Sequence, residues 1–196
     1  MMTQFLKGII VAFSFNSIII CSSFVILLSS CYAKKQMKAG LQLELNNQYE
    51  SAYAIYRGVY DEKNHAEAKS AAERMAQAIL IQKCSKIDNL TMSGNFEGAK
   101  MAHTEAQDYY RQHISEIQNA SSLNSSYENW RMKYGAHLAK AAEEALKDGN
   151  YTIALDFCSK FQTLGIEATN EHARRVVLTQ EIATIAPEFV KGQKLF

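Results

Sequence analysis

The sequence predicts an all-α chain in which pairs of antiparallel helices repeat behind an apolar leader, and three observations carry that prediction. Proline occurs once, at Pro187, and glycine nine times in 196 residues. So few chain breakers exclude a multi-stranded β sandwich and a low-complexity disordered chain. Beyond residue 31 the segments are rich in Ala, Leu, Glu, Lys and Gln, and their apolar residues recur at three and four rather than at two. Three of the polar breaks between segments are followed by an aromatic residue and, three further on, an alanine. The length fits about one domain. Lys and Arg number 21 against 20 Asp and Glu, a net charge of +1, which leaves no global electrostatic case for nucleic acid as a partner. The mean hydropathy of −0.21 averages two unlike parts. Residues 1–30 carry one charge, Lys7, and the rest holds 20 of each sign.

The first element is the leader. No residue from Gly8 to Leu28 is charged, and such a run forms a helix of roughly 30 Å, enough to cross a bilayer and longer than an ordinary secretory core. It closes on Leu28-Ser29-Ser30-Cys31. That ending, a branched apolar residue, two small ones and a cysteine, resembles the lipobox of bacterial lipoproteins. The resemblance implies a signal peptide over 1–30, recognised through Leu28, Ser29 and Ser30 and cut before Cys31. It also implies a diacylglycerol on the Cys31 thiol, an acyl chain on its freed amine, and a short tether over 31–36. One such chain holds a membrane marginally, and two or more hold it stably. Tyr32 stands where some of these proteins carry the aspartate that retains them in the inner membrane, which favours the outer membrane and a periplasmic body. A second reading stays open. Lys34, Lys35 and Lys38 follow the apolar run and only Lys7 precedes it, so an uncleaved anchor would leave the body in the cytoplasm. Cys84 and Cys158 belong to no CxxC pair and are expected as two separately buried thiols, with a disulfide the alternative in an oxidising compartment.

The body, 37–196, divides into repeats near 34–62, 65–119 and 127–164, with a partial repeat or cap over 167–196. Breaks fall at Asn46-Asn47, Ser93-Gly94-Asn95 and Asp148-Gly149-Asn150. In the first repeat Tyr49, Ala52, Tyr53, Tyr56 and Tyr60 line one helical face. The second has elongated helices at roughly 65–92 and 95–119. Residues 119–126, Asn-Ala-Ser-Ser-Leu-Asn-Ser-Ser, are expected as a polar connector. Pro187 is expected to start a new segment in which Gly192 and Leu195 repeat the relation of Gly40 and Leu43. Either Leu195-Phe196 tucks back onto the preceding helix or the chain is a shortened form of a longer repeat protein.

Aligning the breaks sets Tyr49, Phe96 and Tyr151 in one position and Ala52, Ala99 and Ala154 in another. Six residues before each aromatic stand Leu43, Leu90 and Ala145, and ten after it stand Val59, Ala106 and Phe161. Helix, tight turn, aromatic, then alanine where helices touch: this resembles the tetratricopeptide repeat. The resemblance implies an α-solenoid whose first helices line a concave groove. It is partial. The aromatics lie 47 and 55 residues apart against the family's 34. The closing proline is replaced by Asn64, Arg111 and Ile166, and the packing glycine survives only as Gly40, with Ile87 and Ala142 in its place.

Motifs for chemistry are missing from the sequence. There is no phosphate loop, HExxH or GxSxG. His103 and His113 stand nearly three helical turns apart, and Glu105 does not share a face with His103. Glu143 and Glu144 point about 100° apart, Lys140 and Glu144 form a surface pair, and Tyr109, Tyr110 and Trp130 are expected in the core. No catalytic residue, no metal ligand and no cofactor other than the lipid on Cys31 is expected. What remains is the groove that the repeat family implies. By register it comprises Met37, Leu41, Glu44 and Leu45, then Ile81, Cys84, Asp88 and Met92, then Ala139, Glu143, Leu146 and Lys147. Apolar with scattered acids, it suits an extended or helical apolar segment of an envelope protein or peptide. The expectation is a non-enzymatic, membrane-anchored adaptor or scaffold of the cell envelope. The alternatives are a lipoprotein that binds a glycan or peptide for uptake, and an uncleaved scaffold facing the cytoplasm.

Overall fold

The computed structural model describes residues 32–166 and 171–193. They form seven helices and, among the described residues, no strand: α1 over 32–45, α2 Tyr49–Lys63, α3 Ala66–Met92, α4 Phe96–Gln112, α5 Ser121–Lys147, α6 Tyr151–Thr163 and α7 Glu171–Gln193. Among the described residues no helix is long and apolar enough to cross a membrane. Leu28, Ser29, Ser30 and Cys31, expected as a lipobox, and the terminal Leu195 and Phe196 lie outside the described residues.

The three aligned breaks are one turn made three times. At each, a residue with positive φ ends the helix: Asn47 at 58°, Gly94 at 78° and Gly149 at 73°. The next N–H, of Gln48, Asn95 or Asn150, reaches back to the carbonyl of Leu43, Leu90 or Ala145 at 2.9, 2.9 and 2.8 Å. The positive-φ residue itself bonds Glu44, Thr91 or Leu146 at 3.0, 3.2 and 3.0 Å. These paired bonds satisfy carbonyls a helix end leaves open, in the Schellman arrangement. The next helix then starts on Tyr49, Phe96 or Tyr151. Ala52, Ala99 and Ala154 are fully buried, so at each position the small side chain lies in a helix contact.

The chain divides into two compact units within α3, between Ile79 and Leu80. The first holds α1, α2, the start of α3 and residues 115–117. Its core is Ala52, Tyr56, Ala71, Ala72 and Met75, with Met37, Leu43, Tyr49 and Tyr53 packed on it. Gly40 explains how the large Tyr56 ring fits: a Cβ there would stand 2.5 Å from Tyr56 Cε1. Ile117 is buried, and Glu116 accepts hydrogen bonds from Tyr53 Oη at 2.8 Å and Arg57 Nη1 at 2.6 Å, which clips this piece of connector to α2.

The second unit holds the rest of α3 and α4 to α7. In it α4 packs on α5, α5 on α6 and α7, and α6 on α7. Ala183 of α7 joins Ala145 and Ala154 in a small core under Leu146, Leu155 and Phe157. Arg131 donates to the carbonyls of Leu164 and Gly165, both at 3.4 Å, where α6 has ended. Cys84 and Cys158 are buried free thiols.

Three expected boundaries are corrected. α4 stops at Gln112 instead of continuing to 119, because the chain leaves the helix at His113 (φ −114°) and turns toward the Glu116 clip. The serine-rich stretch expected as a connector is, from Ser121 on, the first two turns of α5. Leu123, Ser126 and Trp130 are buried at helical spacing, and Asn119 Oδ1 receives the Ser121 N–H at 2.8 Å. The consecutive helices α1 and α2, α3 and α4, and α5 and α6 run over 32–63, 66–112 and 121–163. Pro187 lies inside α7 instead of opening a segment. Packing of Ala173, Val176, Thr179 and Ala183 carries the helix into a position that propensity alone disfavours.

Candidate functional site

The second unit carries a cleft of about 560 Å³ between α3 and α5. On α3 its wall is Ile81, Cys84, Ser85, Asp88 and Met92, spaced to share one helical face. Facing them on α5 are Ser122, Ser125, Ser126 and Asn129. Asp88 is held from below: Ser126 Oγ donates to its carboxylate at 3.0 Å and Asn129 Nδ2 at 3.2 Å. These bonds place one acidic group in a fixed orientation, with Ser126 itself buried. The Cys84 thiol lies by the hydroxyls of Ser122 and Ser126, and burial pushes its pKa up, which favours the neutral thiol. The rim is apolar and open, with Ile81 50% and Met92 73% exposed. Apolar rim, hydroxyl-lined wall and one oriented carboxylate suit an inserted side chain carrying both apolar surface and a hydrogen-bond donor.

All four residues assigned to the groove in the second repeat, Ile81, Cys84, Asp88 and Met92, therefore meet in one cleft. The first-repeat residues divide. Leu41 and Leu45 are exposed on α1. Met37 is packed into the core of the first unit. Glu44 accepts from Tyr56 Oη at 3.0 Å and pairs with Arg74 at 3.3 Å. In the third repeat Ala139 is buried and Leu146 packs on the Ala145–Ala154–Ala183 core, so both serve helix packing. Glu143 stands 3.9 Å from Arg175, and Lys147 is exposed.

Sequence reasoning missed the α5 half of the cleft, since Ser122, Ser125, Ser126 and Asn129 fell mostly in the presumed connector. Their spacing of three and four was the available signal. It also missed a run of stacked rings on α4 and α5. His103 stacks on Tyr127 at 4.6 Å, Tyr127 meets Trp130 at 5.5 Å, Trp130 meets Tyr134 at 5.6 Å, and Phe96 stacks on Tyr134 at 5.0 Å. Trp130 is buried and donates its Nε1–H to the Phe96 carbonyl at 2.9 Å, fixing the start of α4 against α5. Burial lowers the His103 pKa. Its sequence neighbours are engaged elsewhere, Glu105 with Lys86 and Asp108 with Arg111. Among the described residues no three His, Cys, Asp or Glu side chains come together as a metal site. Comparison with protein-family models, curated proteins and solved structures returns no match to this chain.

Proposed function

We propose that this chain is a lipid-anchored, non-enzymatic adaptor of a bacterial cell envelope, with a tetratricopeptide-like body that holds an apolar segment of an envelope protein or peptide. The observation that carries the proposal is Cys31, placed after Leu28-Ser29-Ser30 at the end of an uncharged run. In this reading two or more acyl chains on Cys31 hold the body at the outer membrane, facing the periplasm. No cofactor beyond that lipid and no nucleic acid partner enters the proposal. The tetratricopeptide-like reading draws on the threefold turn, with its aromatic and buried alanine. The binding role draws on the α3–α5 cleft, where Asp88 is oriented below an exposed apolar rim. Anchoring raises local concentration, so a cleft of modest affinity is enough to hold a partner at the same membrane.

The test is the intact mass of the membrane-extracted protein, with metabolic lipid labelling, beside Cys31→Ala. The expected mature form begins at Cys31 and carries acyl mass that the variant lacks. A chain still beginning at Met1 or Met2, without lipid, overturns the proposal in favour of an uncleaved anchor.

A further inference from the structure

We infer that the segment held in the α3–α5 cleft inserts a basic side chain, lysine or arginine, whose cationic head bonds Asp88 while its alkyl stem lies along Ile81 and Met92. The inference rests on the cleft as the partner's site and names the chemistry of what enters it. The other half-buried carboxylates among the described residues are each met by a cation. Arg74 stands 3.3 Å from Glu44, Lys69 3.9 Å from Glu73, Arg57 2.6 Å from Glu116 and Arg175 3.9 Å from Glu143. Asp88, half-buried as well, is met by neutral donors, the Ser126 hydroxyl and the Asn129 amide. Among the described residues it joins no ion pair. Two lysines of its own helix are turned to other partners, Lys86 to Glu105 at 3.2 Å and Lys83 over the Tyr109 ring at 5.4 Å.

That difference selects the occupant. A neutral apolar segment laid over the cleft takes water from Asp88 and returns no charge, which penalises binding. An acidic segment adds repulsion. A tyrosine returns a hydrogen bond without the charge. A cationic head returns both, and its charge-assisted bond is the stronger kind. The alkyl stem behind that head then covers the apolar rim while the head reaches the carboxylate. Asn129 holds Oδ1 of Asp88 and Ser126 holds Oδ2, so the carboxylate is oriented before the partner arrives and little ordering is lost on binding. The hydroxyl oxygens of Ser122 and Ser125, on the same wall, can accept further N–H groups of the head.

The experiment titrates the full chain, purified in mild detergent and labelled with ¹³C-methyl methionine, with the peptides acetyl-Ala-Leu-X-Leu-Ala-amide, where X is lysine, arginine, tyrosine or norleucine. The Met92 methyl resonance, assigned by its loss in Met92→Leu, reports binding at the cleft. The lysine or the arginine peptide is expected to bind about tenfold more tightly than the norleucine peptide, and more tightly than the tyrosine peptide. Asp88→Asn, with helical circular dichroism intact, should bring that ratio to about one. Added salt should shrink it in the unsubstituted chain, which needs no variant to fold. If norleucine or tyrosine binds as tightly as both basic peptides, the inference fails and the cleft remains a site for a neutral apolar segment. A ratio that survives Asp88→Asn or high salt also overturns it. If no peptide moves the Met92 resonance, the inference falls together with the cleft as the partner's site.

Discussion

Gly40 and Gly58 are both helical glycines, and replacing each by alanine is expected to act with opposite sign. At Gly40 the new methyl meets the Tyr56 ring at 2.5 Å. That ring is buried and hydrogen-bonded to Glu44, so it cannot swing away cheaply, and Gly40→Ala costs about 1–3 kcal/mol. At Gly58 no atom lies within 4 Å of the new Cβ, and Gly58→Ala gains about 0.5–1 kcal/mol from helix propensity and a less free unfolded chain. Urea denaturation followed by circular dichroism measures both, and equal signs would refute the packing account. The same tyrosine gives an alkaline prediction. Burial, with the carboxylates of Glu116 and Glu44, pushes Tyr53 and Tyr56 up to about 12. A phenol whose folded pKa is raised favours folding while it keeps its proton. This contribution is complete below pH 10, the ordinary tyrosine value, and is lost as pH rises through about 12. Stability measured across this window should fall in the wild type and fall less steeply in Tyr53→Phe and Tyr56→Phe.

The repeated turn shows, at the scale of the element, what the sequence contained. Leu43, Leu90 and Ala145, picked out six residues before each aromatic, are the carbonyls that receive the turn's long-range bond, so a spacing in the sequence was a hydrogen-bond register. Local chemistry made this legible: a residue tolerant of positive φ, an Asn, Gly or Asp neighbourhood, then a helix former. The start of α5 was hidden because its cause is not local. Serines are weak helix formers, and Ser126 is acceptable inside only because Asp88, 38 residues earlier, accepts the hydrogen bond of its hydroxyl. The two later turns also differ in a testable way. Asn95 Oδ1 accepts the Gly98 N–H at 3.0 Å and caps α4, whereas Asn150 makes no side-chain cap bond to α6. Asn95→Ala should cost about 1 kcal/mol and Asn150→Ala close to nothing. Fluorescence of Trp130, buried in the second unit, follows both unfolding curves, and a comparable loss in the two variants would sink the distinction.

For the whole molecule, the class was legible in periodicity, but the candidate site was legible only on one of its walls. The α3 residues followed from register, and the Asp88 orientation needed the α5 side chains that tertiary contact brings opposite them. This division separates two roles that one variant each can isolate, given the proposed function. Ile81 and Met92 are open to solvent at the rim, so Ile81→Lys with Met92→Lys should change stability by within about 0.5 kcal/mol each. The double variant should leave any lipid on Cys31 and the membrane fraction unchanged, because the anchor lies elsewhere in the chain. It should lose cross-links formed in cells from a photoreactive residue at Ser125, which lines the cleft. Cys31→Ala should do the reverse: the protein leaves the membrane, and the same cross-link weakens through dilution while the cleft keeps its affinity for a partner added at high concentration. Cell fractionation with Ser125 cross-linking separates these outcomes. If the rim variant cross-links as the wild type does, the α3–α5 cleft is not where the partner lies, whatever anchors the chain. If Cys31→Ala stays in the membrane with its cross-link intact, the cleft holds its partner without a lipid, and the anchor must be the uncleaved apolar segment.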